Sequence, residues 1–380
     1  MTAPGAIPPR LRLLQSLDAR VGGALVRSVR PRARALGGQG PAGPLPAVGS
    51  VLVIRPGGLG DALLLWPLLD ALRAAWPDAR FDVLAERRNS GAFSLDPAHT
   101  GALRVLHYDE SPLRALGELR RARHDLIVDT EQYHHLSTVL ANALRPRWLC
   151  GFRTLGRERL LTHAADHDET TYEARAFLRL GEALLGRPLH FDADRPFLAV
   201  GAEAAEFAAA ALPGTSRRVV AIMPGAGGAY RRWATGRHAE VAGALARQGC
   251  HVLLLGGGDA AGASAQIGSS LPPAQVTNLA GRTSLAETAA LLQRSALAIS
   301  SDTGVLHLAY GVGTPTVGLF GPGLFRKWAP PGARHRLVRV GLDCSPCTRL
   351  GRVPPCPHNV ACMAQLGVPA VLAAAESLLG

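Results

Sequence analysis

The feature that most constrains the fold is a strand and glycine turn that occurs twice. VLVIRPGGLG begins at Val51 and VVAIMPGAGG at Val219, and the two agree at the first valine, the isoleucine, the Pro-Gly pair and the last glycine. An apolar, β-branched run that breaks into Pro-Gly ahead of a helical pattern is how a buried parallel strand feeds a covering helix. After each copy the alternation continues. Expected strands are Val51 to Arg55, Phe81 to Ala85, Val105 to Tyr108 and Leu126 to Asp129, then Val219 to Met223, His251 to Leu255, Leu297 to Ser300 and Thr316 to Phe320. A helix is expected from Ala62 to Trp76, kinked at Pro67, and Ser284 with Glu287 forms a capping box before another. The class is α/β, with two parallel sheets covered by helices, and the restart suggests two copies of one architecture.

Length allows this. At 380 residues the chain holds two domains of ordinary size with sequence to spare. The expected division is a basic extension at 1–46, a first domain at 47–205 and a second at 206–380. Arg10, Arg12, Arg20, Arg27, Arg30, Arg32 and Arg34 face a single acid, Asp18, in the extension. Leu13, Leu14, Leu17, Val21, Leu25 and Val29 recur there at helical spacing. Two readings stand: an amphipathic helix for an anionic membrane face, or a loosely ordered basic tail.

The formal charge of +12 attracts acidic partners of any kind. A nucleic-acid surface would want basic residues interleaved with aromatics, and aromatics are only 5%. No apolar run is long enough to span a bilayer, the N-terminus lacks a signal-peptide core, and the expected location is cytoplasmic, peripheral at the inner membrane face if the helix is used. Of six cysteines, Cys150 and Cys250 stand alone while Cys344-x2-Cys347-x8-Cys356-x5-Cys362 crowd together. That is no secreted disulfide framework. The four could hold structural zinc or an iron-sulfur cluster, or be reduced thiols around a Pro-rich loop.

In open parallel sheets, ligands meet the turns beyond the carboxyl ends of strands. Three turns qualify: Pro56-Gly57-Gly58-Leu59-Gly60-Asp61, Pro224-Gly225-Ala226-Gly227-Gly228 and Ser301-Asp302-Thr303-Gly304. None has the P-loop lysine spacing or a full GxGxxG. Asp61, at a helix start, reads either as a cap or as a general base. Arg231 and Arg232 after the second turn suit phosphate oxygens, or are simply solvated. Glu131, Gln132, His134 and His135 follow the strand ending at Asp129 and are candidates to line a binding hollow. Asp166-His167-Asp168 and Asp192-Ala193-Asp194 look like divalent-ion pairs, but neither follows a strand, and they are read as solvated loop acids.

Together RPGGLGDALLLWPLLDAL, PGAGGAYRRWATGRHAEVA and SDTGVLHLAYGVGTPTVGLFGP, with DLIVDTEQ and Gly151-Phe152, resemble glycosyltransferase family 9, the ADP-heptose:lipopolysaccharide heptosyltransferases. The likeness runs from about Val51 to the end and leaves the basic extension uncovered. It implies a GT-B architecture of two facing Rossmann-like domains, acceptor on the first and donor on the second. It also implies inversion at the anomeric carbon without a catalytic metal, from a nucleotide diphosphate sugar to a glycan or glycolipid hydroxyl. By the same resemblance Asp61 is the base. Arg231, two residues before Trp233, falls where the family places a phosphate-binding cation. Gly225, Gly227, Arg232, Asp302, Thr303, Gly304 and His307 complete the donor side, His307 either touching phosphate or packing on the turn. Asp259 is the candidate for the ribose hydroxyls, where the family often has glutamate. With the acceptor on the first domain, the acceptor-side candidates are Gly58, Gly60, Glu131, Gln132 and His134, the last three by their place beyond the strand ending at Asp129. The alternative is a non-catalytic nucleotide-sugar-binding protein on the same scaffold.

Overall fold

A computed structural model describes residues 9–32, 45–95, 103–107, 112–212, 218–349 and 351–380. Arg34 and Tyr108 lie outside them. The chain forms two compact units, chiefly Ile7–Phe93 with Thr100–Phe191 and Asp192–Gly380.

The N-terminal unit is built on β1 (Ser50–Arg55), β2 (Arg80–Ala85), β3 (Arg104–His107), β4 (Leu126–Asp129), β5 (Trp148–Phe152) and β6 (His163–Ala165). They lie in the order β3-β2-β1-β4-β5-β6, all parallel. The C-terminal unit uses β7 (Val219–Met223), β8 (His251–Leu254), β9 (Val276–Asn278), β10 (Leu297–Ser301), β11 (Thr316–Phe320) and β12 (His335–Arg339). Their order is β12-β11-β10-β7-β8-β9, again parallel. Counted from its own first strand, each sheet runs 3-2-1-4-5-6, the doubly wound order whose direction reverses between strands 1 and 4.

The central strands are buried at every residue, which is why they read as unbroken apolar runs rather than alternating ones. Leu52 and Ile127 are core to one sheet, Val220 and Ile299 to the other. Truncating such a residue to alanine costs about 2–5 kcal/mol. The Ser284 box is present: Glu287 N–H donates to Ser284 Oγ at 3.2 Å and Ser284 N–H to Glu287 Oε2 at 2.7 Å.

One expectation is corrected. The stretch Ala62 to Trp76 is not one helix kinked at Pro67 but two, Leu59–Leu63 and Trp66–Ala75, with Pro67 in the first turn of the second. A proline there sacrifices an N–H that a helix start leaves unbonded anyway, so it opens a helix more cheaply than it bends one.

The basic N-terminal segment is helical and docked. Pro9–Leu17, a π-helical turn at Asp18–Gly22 and Gly23–Ser28 follow one another. Asp18 Oδ1 accepts from the N–H groups of His135 and Leu136, each at 2.7 Å, at the start of the helix Leu136–Ala143. A remote carboxylate therefore does what an N-cap does. Gly22 is required there, since a Cβ would stand 2.9 Å from that of His135. Farther on, Asn142 Nδ2 donates to Arg30 O and its Oδ1 accepts from Arg32 N–H, while Arg159 donates to the carbonyl of Val26. Apolar side chains of this segment stay partly bare even so: Leu13, Leu14, Leu17 and Val21 are 70%, 38%, 46% and 37% exposed.

Candidate functional site

In each unit the direction of the sheet reverses beside the glycine turn, so the chemistry gathers where strand 1 and strand 4 diverge.

In the N-terminal unit β1 ends at Arg55, and Gly57 takes a φ of +109°, open to glycine at little cost. A Cβ there would also stand 2.9 Å from Arg55 Nη2. Gly57 N–H donates to Glu86 Oε1 at 2.9 Å and Gly58 N–H to Asp61 Oδ2 at 3.2 Å. Asp61 sits in the first turn of Leu59–Leu63 and caps its start through the Gly58 N–H, with Gly60 just before it in that turn. Its carboxylate also meets Arg55 Nη2 at 3.4 Å and keeps a quarter of its surface open, at 25%. A carboxylate held on one side and open on the other has the form of a general base as well as a cap.

Arg55 is the hub. Only 4% exposed, it donates from Nη1 to the Thr130 carbonyl at 3.2 Å and lies over the Phe177 ring at 5.3 Å. Burial opposes its charge, yet Asp61, Glu131, Glu173 and Glu86 outweigh that and hold its pKa above the ordinary value.

After β4, Glu131 is buried, and its Oε1 accepts from Gln132 N–H at 2.8 Å and Tyr133 N–H at 2.7 Å. Gln132 is buried too, its Nε2 donating to Glu173 Oε1 at 2.9 Å, so its side chain braces the interior. His134 is partly open and its Nδ1 lies 3.5 Å from Asp18 Oδ2. Beneath this loop Arg157, 1% exposed, donates from Nη1 to His134 O at 2.9 Å and from Nη2 to Glu131 O at 2.6 Å. It also stands 3.7 Å from Asp129. Burial pushes the Asp129 pKa up although Arg157 and Thr138 pull the other way. Sequence reading missed Arg55, Arg157 and the reach of Asp18. The one legible signal was Asp18 as the lone acid among arginines.

The β1 and β2 ends, the Pro56-Gly57 turn, the 131–137 loop and the N-terminal helix enclose a cavity of about 370 Å³. Glu131 and His134 line it, and Gln132 does not.

In the C-terminal unit the turn after β7 leads to Arg231, whose Nη1 donates to Asp302 O at 3.3 Å and lies 3.5 Å from Asp302 Oδ2. One arginine thus ties the turn after β7 to the turn after β10. Asp302 is buried against Gly323, where a Cβ would come within 2.2 Å of its Oδ2, so only glycine fits. Thr303 takes the N-cap position of the helix Gly304–Gly311 without a capping side-chain bond, its Oγ1 lying instead 3.1 Å from Ser300 Oγ. Asp259 stands beside Gly225, where a Cβ would meet its Oδ2 at 3.1 Å; at Gly227 a Cβ would meet nothing within 4 Å. Arg231, Asp302, Thr303 and Gly304 are therefore brought together, a cation and a helix start of the kind that receives phosphate, while Asp259 stands at Gly225 in the turn after β7. Arg232 is exposed at the rim. His307 is 2% exposed and packs on Trp328 with ring centroids 5.9 Å apart.

Cys344, Cys347, Cys356 and Cys362 line one hollow of about 160 Å³ with His358 and Tyr230, all four unbridged. Burial first, then neighbouring cysteines, raise the Cys347 and Cys362 pKa values. Among the described residues no three His, Cys, Asp or Glu side chains are placed to hold a metal ion. Asp166, Asp168, Asp192 and Asp194 are exposed loop acids; Asp168 serves Thr170 and Thr171, and Asp194 accepts from Ala333 N–H.

The model of glycosyltransferase family 9 (heptosyltransferase) matches residues 113–356. Lipopolysaccharide heptosyltransferase 2 of Salmonella typhimurium is 26% identical over 310 residues, 76% of this chain and 88% of the relative. The family 9 glycosyl transferase of Veillonella parvula superposes with a TM-score of 0.73 at 19% identity, covering 89% of this chain and 99% of that one. The E. coli heptosyltransferase WaaC with ADP-2-deoxy-2-fluoro heptose gives 0.65 at 20%, covering 86% and 99%. With the fold shared along nearly the whole length of these proteins and the family model spanning more than half of the sequence, the chain belongs to glycosyltransferase family 9.

Proposed function

We propose that the chain is an inverting, metal-independent glycosyltransferase that moves a heptose or related sugar from a nucleotide diphosphate to a hydroxyl of a cell-envelope glycan or glycolipid. The Salmonella relative is named for lipopolysaccharide, and a structural neighbour holds an ADP-heptose analogue. The observation that carries the reading is the Arg231–Asp302 tie, which sets a cation beside the helix start at Thr303 and Gly304.

The donor binds the C-terminal unit. Its diphosphate lies against Arg231, Arg232 and the Thr303 and Gly304 N–H groups, with Asp259 taking the ribose hydroxyls. Asp61 removes the proton of the acceptor hydroxyl as that oxygen attacks the anomeric carbon. The carbon–oxygen bond to the diphosphate breaks on the opposite face, its electron pair leaves with the phosphate, and the configuration inverts. Fixed cationic donors matter most as that negative charge builds. Arg55 keeps Asp61 oriented while the Gly58 N–H bonds its second oxygen. The N-terminal helix, with Leu13, Leu17 and Val21 bare and Arg20 and Arg27 exposed, seats the protein on the anionic inner face of the membrane.

A thermal-shift series of nucleoside diphosphates, with magnesium and with chelator, tests the donor. Stabilisation indifferent to chelator is expected; stabilisation only with magnesium overturns the metal-free scheme. One observation favours the non-catalytic alternative: Asp61 is already engaged as a cap and with Arg55. Asp61→Asn separates the two, because it preserves shape, should keep nucleotide binding and should lower turnover by about 10²–10⁴. Full turnover in that variant removes the base.

A further inference from the structure

We propose that Cys347 and Cys356 form a reversible disulfide across the hollow of the four cysteines, and that this bond sets the position of the loop that carries Arg231. The inference rests on the donor reading above where it concerns nucleotide affinity; the bond and the loop movement stand apart from it.

The chain brings the two thiols to one place by turning back on itself. Arg349 N–H donates to Arg352 O at 2.8 Å and Arg352 N–H to Arg349 O at 2.9 Å, so the run that carries Cys356 returns past the run that carries Cys347. Both cysteines line the same hollow of about 160 Å³. Cys347 is held in place. Its N–H donates to Pro322 O at 3.1 Å, and on either side Ser345 Oγ donates to Gly321 O at 2.6 Å and Thr348 Oγ1 to Pro322 O at 2.7 Å. Cys356 is exposed, and its sulfur accepts from Val360 N–H at 3.4 Å. After burial, Cys356 is the cysteine that most raises the Cys347 pKa, as a near charge does. Cys362 is instead buried in the core of the C-terminal unit.

The hollow reaches the donor loop from two sides, because Tyr230 and Pro322 both belong to its wall. The Tyr230 ring packs on its own turn: a Cβ at Gly228 would stand 2.7 Å from its Cζ, and the Arg231 guanidinium lies 5.9 Å from the ring centroid. Pro322 precedes Gly323, which packs on Asp302, the carboxylate that meets Arg231. A disulfide brings its two Cβ atoms to about 3.8 Å. Making it draws residues 354–357 across the hollow toward the side pinned to Pro322. Tyr230, part of that wall, is displaced, and Arg231 is pulled away from Asp302 with it.

The oxidant is a low-molecular-weight disulfide. The exposed Cys356 thiolate attacks one of its sulfurs, and a mixed disulfide forms as one small thiol leaves. The Cys347 thiolate then attacks the Cys356 sulfur, and the second small thiol leaves. Two electrons and two protons pass from the cysteine pair to the reagent, and a dithiol reverses the exchange.

The test uses the full chain, reduced or treated with oxidised glutathione, with peptide mapping by mass spectrometry to find the bond. A Cys347–Cys356 link reversed by dithiothreitol is expected. Amide exchange over residues 228–232 should quicken in the oxidised chain, and this readout needs no nucleotide. ADP, GDP and UDP are then titrated by calorimetry. Whichever binds the reduced chain should bind the oxidised one at least about tenfold more weakly, as a lost charged hydrogen bond to phosphate would dictate. Cys356→Ser, a change at an exposed residue, should keep the reduced chain's affinity and abolish the response, while Cys344→Ser should respond as wild type does. Tyr230→Ala should still form the bond but lose its effect on exchange at 231 and 232. Three results overturn the proposal: a link that does not join these two cysteines, a link that leaves exchange at 228–232 unchanged, or thiols that glutathione cannot reach because a zinc or iron ion occupies them. If none of the three nucleotides binds the reduced chain, the donor reading falls, and the bond and the loop movement are still decided by mass and by exchange.

Discussion

The two sheets share one strand order and one turn, yet their reversal points are differently charged. At the N-terminal one a buried arginine, Arg55, is ringed by Asp61, Glu86, Glu131 and Glu173. The turn's own N–H groups are taken by the protein's carboxylates, Gly57 by Glu86 and Gly58 by Asp61. At the C-terminal one the turn is followed by Arg231 and Arg232, with Asp302 holding the first of them. On the proposed function, the backbone device that receives an anion in one copy is filled from within in the other. The two units share a scaffold, and on that reading the residues around each glycine turn set whether a site manages a proton or a phosphate.

The sharpest way to break this contrast is to exchange what the two arginines are asked to do. Arg55→Met should leave four carboxylates around an uncharged side chain and cost about 3–5 kcal/mol of stability, the usual result of orphaning buried charge. Chemical denaturation would show it as a lower midpoint with an unchanged slope. Arg231→Met should cost little stability, because its side chain is more than a quarter exposed at 28%. It should instead weaken nucleoside diphosphate binding by about 1.5–3 kcal/mol, roughly tenfold to a hundredfold. If Arg55→Met proves harmless to stability, or if Arg231→Met destabilises without touching nucleotide affinity, the division of labour between the two copies is wrong. Gly323→Ala sharpens the same point from behind. Its methyl must displace Asp302, so nucleotide affinity should fall with Arg231 still present.

How much of this was legible depended on range. Strands β1, β4, β7, β10 and β11 could be read because full burial writes them as continuous apolar runs. Strands β9 and β12 could not, since the mixed exposure of Val276–Asn278 and His335–Arg339 leaves no such run. β5 was missed for another reason: Trp-Leu-Cys-Gly-Phe is buried throughout but contains no β-branched residue. Asp61, Arg231 and Asp302 announced themselves by standing next to glycine turns. Arg55 did not, because it reads as the last residue of a strand until the fold surrounds it with acids from four segments. Arg157 works on a loop 23 to 26 positions away, and Asp18 on one 117 to 118 away, distances that no local periodicity records.

Asp18 offers the smallest of the effects and the one most specific to the uncovered extension. Burial opposes its ionised form, but hydrogen bonds from His134, the Leu136 N–H and His135 outweigh this and lower its pKa from 3.8 to about 2. The folded value lies below the unfolded one, so the clasp contributes in full above the ordinary carboxylate range and is lost as pH falls from 3.8 toward about 2. Losing a capping side chain at neutral pH costs about 0.5–2 kcal/mol, and Asp18→Ala should show that loss, mainly as release of the helix and not of the sheet behind it. Limited proteolysis between Arg20 and Arg32 reads the release directly. Wild type should resist trypsin there at neutral pH and the variant should be cut, while amide exchange in β1 and β4 stays as slow as before. Equal protection in both would show that Asn142, Arg159 and the tight fit of Gly22 hold the helix without its one acid.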